Sequence, residues 1–358
     1  MTKSNYEYLK NGLSGIIRAK NEARFIGGCI DSCVNALDEL IVVYNDCTDD
    51  TPAILEQKQK QYPDKIKLYP FNHHVLAYNL TPEEFEYAKN LPEDSLRLHS
   101  TQCNYGLSKV TYKYALKIDP DQLYFTDELS KWRDICHEGR TYRWNVRCVC
   151  GCLFSTYISV YRKFSTIVGR PILWMLPTFL VNLCKKSYSY YAKLKLLNGS
   201  GCIALSGVNV FWDSQWYVPF DGINVHPPYN GAGDTLIFRV SEKTYYSKLI
   251  ASPTYIVERF HCPFKMMFAG PMWFHLHANK ENCWEKVKKV KDEYPDRFVP
   301  IKNFVLMSYR AVHNRMDKKA HSLFQRIWFA IVHKMGARMI ERHISQLIAL
   351  GERSVTKE

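Results

Sequence analysis

The sequence predicts an α/β protein built on a parallel sheet, and three stretches carry that expectation. Gly15-Ile16-Ile17-Arg18 reads as a first strand, and Leu40-Ile41-Val42-Val43-Tyr44 is a nearly all-apolar run, as strands buried on both faces of a parallel sheet are. Between them Phe25, Ile26, Cys29, Ile30, Cys33, Val34 and Leu37 recur at helical spacing and form one apolar stripe. Strand, helix and strand make a first βαβ unit. The third stretch, residues 115–125, places two carboxylates one residue apart, Asp119-Pro120-Asp121, between two strongly apolar runs.

The remaining elements of this half follow in order. Asn45 to Pro52 offers Asp or Thr as the cap of a helix whose first turn holds Pro52 and which runs to about Tyr62. Ile66-Lys67-Leu68-Tyr69 reads as a third strand, and Ser100 to Lys113 as a helix leading into the strand that ends at Asp119. Open α/β sheets bind ligands at the carboxyl ends of their strands, so the polar loops 20–22, 45–50 and 119–121 are expected to converge on one edge. Two carboxylates leaving a strand together suit a hard cation that keeps open positions for substrate phosphates. The plainer reading of Asp-Pro-Asp is a turn, for which both residue types are common.

Taken together these segments resemble the nucleotide-binding half of the inverting, family 2-like GT-A glycosyltransferases. They resemble more specifically the bacterial β-1,4-N-acetylgalactosaminyltransferases of lipooligosaccharide and capsule synthesis. The residues that carry the resemblance are Arg18-Ala19-Lys20-Asn21-Glu22, Tyr44-Asn45-Asp46-Cys47-Thr48-Asp49 and Lys117-Ile118-Asp119-Pro120-Asp121-Gln122, in order over the first third of the chain. The resemblance implies a GT-A fold, a Rossmann-like nucleotide-sugar-binding sheet flanked by helices. It also implies nucleotide-sugar contacts from Arg18, Lys20, Asn21, Glu22, Asn45, Asp46, Asp49, Lys117 and Asp119, and metal ligation by Asp119 and Asp121. One departure stands out: the acid that usually follows the second strand and contacts uracil is replaced by Tyr44 or Asn45. An Asn side chain still offers both a donor and an acceptor to a base edge.

Composition narrows the partners. A chain of 358 residues with 46% hydrophobic residues can bury a large core, and its formal charge of +13 calls for an anionic partner. No nucleic-acid-binding module announces itself, so nucleotide phosphate and an anionic membrane surface are expected rather than DNA or RNA. Met1 to Tyr6 lacks a charged-then-apolar leader, which predicts a cytoplasmic protein. The lipid-linked acceptor that the resemblance implies, with the basic tail, adds the expectation that it is peripheral at the cytosolic face of the inner membrane. The twelve cysteines are scattered, as reduced thiols would be. Cys148, Cys150 and Cys152 alternate in a run from Thr141 to Cys152 that reads as a strand, placing all three on one face.

In the second half, Gly201 to Val210 reads as a strand, and the apolar stretch 164–184 is broken by Arg170, Pro171 and Pro177. Its uninterrupted part is shorter than the roughly 20 residues a helix needs to span a bilayer, so it reads as an interfacial segment or a buried helix pair. Phe211 to Asp221 is dense in aromatics and acids, which suits sugar faces and hydroxyls; Trp212, Asp213 and Trp216 are candidate acceptor contacts, against the alternative that such clusters form core. The glycine-flanked Asp234 occupies the place of the family's late catalytic acid and is the candidate general base, with helix capping as the alternative role and Asp213 and Asp221 as rivals. His275 lies in a segment resembling one that completes the metal shell, and an imidazole ligand favours Mn²⁺ over Mg²⁺. The tail is helical, basic and amphipathic, with Leu323, Phe324, Ile327, Trp328, Ile331 and Met335 on one side.

The expected organisation is therefore a nucleotide-sugar half over 1–126, an acceptor half over 127–280 that includes 164–184, and a helical C-terminal extension over 281–358. The expected activity is metal-dependent inverting transfer of a sugar, N-acetylgalactosamine first, from a UDP-sugar to a lipid-linked or cell-surface oligosaccharide. Two rivals differ in class. A sugar-nucleotide pyrophosphorylase should open with a glycine-rich phosphate loop, which Arg18 to Glu22 is not. A non-catalytic glycan-binding protein at the membrane would use the acids only to shape turns.

Overall fold

A computed structural model describes residues 8–138, 143–156, 178–220, 229–315 and 323–355. Along the first part of the chain come β1 (Lys10–Ala19), α1 (Ile26–Cys33) with a 3-10 turn at Val34–Ala36, β2 (Glu39–Tyr44), α2 (Thr51–Gln61), β3 (Ile66–Pro70), α3 (Pro82–Asn90), α4 (His99–Leu107), β4 (Tyr112–Ile118), β5 (Gln122–Tyr124) and α5 (Thr126–Glu138). Then follow α6 (146–156), α7 (Thr178–Leu197), β6 (Gly201–Asn209), β7 (Phe211–Asp213), β8 (Gln215–Pro219), β9 (Tyr229–Arg239), β10 (Tyr245–Ser252) and β11 (Tyr255–His261). The chain closes with β12 (Lys265–Ala269), β13 (Trp273–His275), α8 (Glu281–Glu293), β14 (Phe298–Pro300), α9 (Ile301–Leu306), α10 (Tyr309–Arg315) and α11 (Leu323–Val355). It divides into two compact units, one of Met1–Gly139, Lys195–Ile203 and Asp234–Met266, the other of Arg140–Leu194, Ala204–Gly233 and Met267–Glu358.

The first unit has the mixed α/β, parallel-rich architecture that the sequence predicts. β3, β2, β1 and β4 lie side by side in parallel, and β9 joins β4 antiparallel through Tyr114↔Arg239 and Leu116↔Ile237. Leu40, Ile41, Val42 and Val43 are all fully buried, so β2 is covered on both faces, and that is why its sequence does not alternate. Gly106 lets α4 approach one face of the sheet: a Cβ there would stand 3.1 Å from Ile16 and 3.2 Å from Val43. Gly15, the neighbour of Ile16 and therefore pointing the other way, is crowded by Leu37 and Leu40. On that side α5 is tied down where Arg133 Nη1 donates to the Asn35 carbonyl over 2.8 Å and His137 meets Asp38 at 2.8 Å. Glu39, only 1% exposed, pins strand ends together by accepting from Ser14 Oγ, the Thr111 amide and hydroxyl, and Lys67 Nζ.

The second unit corrects one expectation. The run 141–152 was expected as a strand, but its described part folds into helix from residue 146, and Asn145 caps that helix by accepting from the Cys148 amide over 3.0 Å. Cys148 is consequently buried, Cys150 exposed and Cys152 half-buried, rather than all three on one sheet face. Gly151 seats α6 against α7, since a Cβ there would meet the Ser187 carbonyl oxygen at 2.2 Å. β13 runs parallel to β6 through Phe274↔Val208, and β7, β8 and β14 form a small antiparallel sheet packed on α8 by Phe211, Val287, Val290 and Phe298. No helix among the described residues is long and apolar enough to cross a membrane; residues 157–177, which include most of the stretch 164–184, lie outside them.

Candidate active site

The loops after β1 and β2 meet in the first unit, and the meeting is built largely from side chains bonding to backbone. Asn21 and Asp46 hold positive φ angles of 54° and 43°, a region that Asn and Asp tolerate better than most residues. With the chain turned this way, Asn21 Oδ1 accepts from the Thr48 amide over 2.8 Å and Nδ2 donates to Thr48 Oγ1 over 3.1 Å. The Glu22 amide donates to Thr51 Oγ1 over 2.8 Å, and Asp49 receives the amides of Ala23 and Thr51, each over 3.0 Å. The N-cap of α2 is Asp50, which makes no side-chain cap bond; Asp49, one residue earlier, holds the first helical amide instead. Asp46 Oδ2 sits 2.8 Å from His74 Nδ1 and 3.6 Å from Lys20 Nζ; burial raises its carboxyl, but these two partners outweigh that and hold it below the ordinary range.

Asn45, the residue standing where an acid is usual, is only 5% exposed, and its Oδ1 accepts from Gln102 Nε2 over 2.8 Å. Its Nδ2 faces the His73 carbonyl at 3.5 Å. The side chain is thereby engaged on both its polar ends inside the unit.

At the end of β4 the Asp119-Pro120-Asp121 turn is fixed by Gln122. The Gln122 amide donates to the Asp119 carbonyl over 3.2 Å, while Gln122 Oε1 accepts from the Asp119 amide and the Tyr124 hydroxyl. Gln122 Nε2 reaches Thr235 Oγ1 over 2.9 Å, which brings the β9 backbone at Asp234 beside the turn. Asp234 itself lies inside β9, so helix capping is not its role. Asp121 is buried at 4% exposure, and Asp119 is more open.

Asp119 borders a cluster of charges that the sequence reading did not assemble. Arg18 Nη2 and Lys117 Nζ each lie 3.5 Å from Asp119 Oδ1. The same two cations reach Glu258 Oε1 on β11, at 3.0 Å and 3.5 Å. Burial by itself would raise the Glu258 carboxyl, yet Arg18, His99 and Lys117 together hold it well below the usual carboxylate range. On α4, His99 Nε2 lies 2.5 Å from Arg18 Nη1. A guanidinium can only donate, so Nε2 accepts and the ring proton is on Nδ1, which lies 3.0 Å from Glu258 Oε2. Burial and the Arg18 charge lower the His99 pKa, in keeping with a neutral ring. Cys103, one turn on, receives Arg18 Nη1 at 3.1 Å, and burial pushes its thiol up to about 12. His99, Cys103 and Glu258 have the donor types of a metal site, but the Arg18 guanidinium lies within bonding distance of all three, where a cation would sit.

The second unit holds the other candidates. Trp216 is 7% exposed and spends its Nε1 on the Leu347 carbonyl over 2.7 Å; its ring packs on Trp212 with centroids 5.1 Å apart. Asp213 is gripped by Lys291 at 2.7 Å and Lys288 at 3.0 Å, which overcome the effect of burial and lower its pKa. His275 is 9% exposed, and its Nδ1 lies 2.8 Å from Asn209 Oδ1. An amide oxygen only accepts, so Nδ1 carries the proton and Nε2 is the nitrogen with a lone pair in the neutral ring. Asp221 lies outside the described residues.

Residues 14–80 match the family model of glycosyl transferase family 2. That span contains β1 from Ser14 onward, β2 and β3, with Arg18, Lys20, Asn21, Glu22, Asn45, Asp46 and Asp49, and it ends before Asp119, Asp121, Asp234, Glu258 and His275. The family 2 match supports a glycosyltransferase, and the sheet it falls on is parallel-rich with flanking helices, the mixed α/β architecture expected from the sequence. No curated protein sequence matches the chain. Among solved structures, S. aureus TarS is similar at 16% identity and a TM-score of 0.25, over 36% of this chain and 20% of TarS. Glucosyl-3-phosphoglycerate synthase from Mycobacterium tuberculosis, in complex with Mn²⁺, UDP and glucosyl-3-phosphoglycerate, is similar at 19% identity and a TM-score of 0.20, over 34% of this chain and 36% of that one. The chain thus matches well under half the length of either.

Glu258 and His99 are the residues that sequence reasoning missed. A signal was present: Ile256, Glu258 and Phe260 alternate on one face of β11, and an acid on the inward side of such a strand requires a buried partner.

Proposed function

We propose that the protein is a metal-dependent inverting glycosyltransferase that moves a sugar, N-acetylgalactosamine as first choice, from a UDP-sugar to a lipid-linked or cell-surface oligosaccharide. The observation that carries the proposal is the Asp119-Pro120-Asp121 turn. It is held by Gln122 at the end of β4, with Arg18 and Lys117 against Asp119, in the same unit as the loops of the family 2 match.

The donor set fits a divalent cation. Asp119 and Asp121 offer carboxylate oxygens within the first unit, and His275, whose Nδ1 proton is held by Asn209, is the imidazole that the resemblance implies as a further ligand. Carboxylates with an imidazole suit Mn²⁺ better than Mg²⁺. When bound, such an ion supplies positive charge to a diphosphate leaving group. The chain's own residues do the rest. Arg18 and Lys117 stand ready to compensate phosphate charge as it develops, and they are already oriented by carboxylates, so little reorganisation accompanies the reaction. Asn21, Glu22 and Asp49 brace the loops of β1 and β2 against each other and so fix the walls of the nucleotide site. Asp234 takes the acceptor proton as the hydroxyl attacks the anomeric carbon. Asp213 is poorly suited to that task because two lysines stabilise its charged form. The tight packing of Trp216 against α11 favours a structural role for that aromatic pair, leaving the acceptor contacts to other side chains.

The formal charge of +13 supports attachment to an anionic membrane surface, where a lipid-linked acceptor would be met. The reading is tested by incubating the protein with Mn²⁺ and each common UDP-sugar in turn, with galactose-ended oligosaccharides as acceptors, and weighing the products. An N-acetylhexosamine added from one donor is expected. Nucleotide hydrolysis without transfer to any saccharide, or formation of a sugar nucleotide from UTP, would reject it.

A further inference from the structure

Glu258 comes from a hairpin distant in sequence from every loop discussed above, yet it is the acid most deeply engaged with the two cations that border Asp119. Its side chain is 11% exposed, against 27% for Asp119. Arg18 lies nearer to Glu258, at 3.0 Å, than to Asp119, at 3.5 Å, and Lys117 stands 3.5 Å from each. Both cations approach the same oxygen of Asp119, Oδ1. With His99 neutral, the group holds two positive and two negative charges. Without Glu258, more of the charge of both cations would fall on Asp119, and in a poorly hydrated site each would be drawn towards it.

We infer that Glu258 is a positioning residue that shares the charge of Arg18 and Lys117, so that Asp119 keeps its affinity for a divalent cation while both side chains stay aimed at the nucleotide. The inference rests on the assignment of Asp119 to the metal site. It makes Glu258 a balance between two ligands of opposite charge. Removing its charge leaves the pocket one unit more positive, which disfavours the cation and favours the diphosphate. Loss of a merely structural contact would weaken both.

The experiment uses the full chain and two binding measurements that need no turnover: Mn²⁺ binding followed by the loss of the free-ion electron paramagnetic resonance signal, and metal-free UDP binding by calorimetry. In Glu258→Gln, Mn²⁺ affinity should fall by about tenfold while UDP affinity without metal rises several-fold. Lys117→Met, which leaves Glu258 and Arg18 paired, should shift both affinities the opposite way and remains informative if Glu258→Gln does not fold. Glu258→Asp should behave much as the wild type. Parallel weakening of both ligands in Glu258→Gln, or no change in either, overturns the inference while wild-type Mn²⁺ binding stands. A wild type that binds no Mn²⁺ overturns the metal-site assignment and the inference with it.

Discussion

Gln102 Nε2 donates to Asn45 Oδ1 over 2.8 Å, and both side chains are buried, at 3% and 5% exposure. This bond answers why the residue after β2 is an amide here. Its oxygen is needed by α4, and its nitrogen faces the carbonyl of His73. A carboxylate could keep the first contact but would turn a second oxygen towards that carbonyl and towards Asp46, 3.3 Å away. Asn45→Asp is therefore expected to cost about 1–3 kcal/mol of stability, the range for a buried polar group left without its partner. Thermal denaturation of the variant measures it, and an unchanged melting temperature would contradict this account of the amide.

Glu39 makes the sheet sensitive to acid. Burial raises its carboxyl, but Lys67, Ser14 and Thr111 outweigh that and hold it below the ordinary carboxylate range. A carboxyl whose folded pKa is depressed contributes stability that is present above the unfolded value and is lost as pH falls through the folded one. Wild-type protein should therefore lose melting temperature as pH drops below about 4.5. Glu39→Gln should melt lower at neutral pH and show a shallower decline in acid. Parallel pH curves for the two proteins would contradict the assignment.

The seat of α6 on α7 gives a third expectation. Gly151→Ala places a methyl group 2.2 Å from the Ser187 carbonyl oxygen, a backbone atom that cannot rotate away. Overpacking of this kind costs about 1–3 kcal/mol, and the melting temperature should fall accordingly. A neutral substitution would contradict the helix pair and restore the strand that the alternating cysteines suggest.

The contrast between these regions shows what the sequence made legible. β1, α1, β2, α2 and β3 were readable because each buries a face with a simple period, and the loops between them carry residue types with few conformational options. The run from Thr141 to Cys152 misled because alternating cysteines satisfy a strand template, whereas the deciding feature in its described part is a single capping contact from Asn145. The charge cluster around Arg18 was only half legible. Its sequence-local members lie at the ends of β1 and β4, but Glu258 arrives on a hairpin whose packing against α4 nothing in the sequence announces, and Asn104 fixes that meeting by bonding both the amide and the carbonyl of Tyr246. The aromatic run from Phe211 to Trp216 looked like a sugar platform because area and chemistry are the same whether a tryptophan faces a ligand or, as Trp216 does, a helix.

Membrane attachment yields a fourth expectation. The full chain should sediment with vesicles rich in phosphatidylglycerol, bind weakly to neutral vesicles, and dissociate as ionic strength rises, because each basic residue near an anionic surface contributes about 1 kcal/mol within a Debye length. Equal binding to neutral vesicles, or none to anionic ones, would contradict it.

The central claim is that the acids of the turn after β4 hold a divalent cation against a sugar nucleotide. It is tested most directly by UDP release from the preferred UDP-sugar, measured with and without Mn²⁺ for the wild type and Asp121→Ala. The account predicts turnover that vanishes on chelation, returns with Mn²⁺ in the wild type, and in the variant stays lower by about a hundredfold or more, since a lost metal contact removes several kcal/mol of charge stabilisation. Metal-independent turnover, or a variant as active as the wild type, would contradict it.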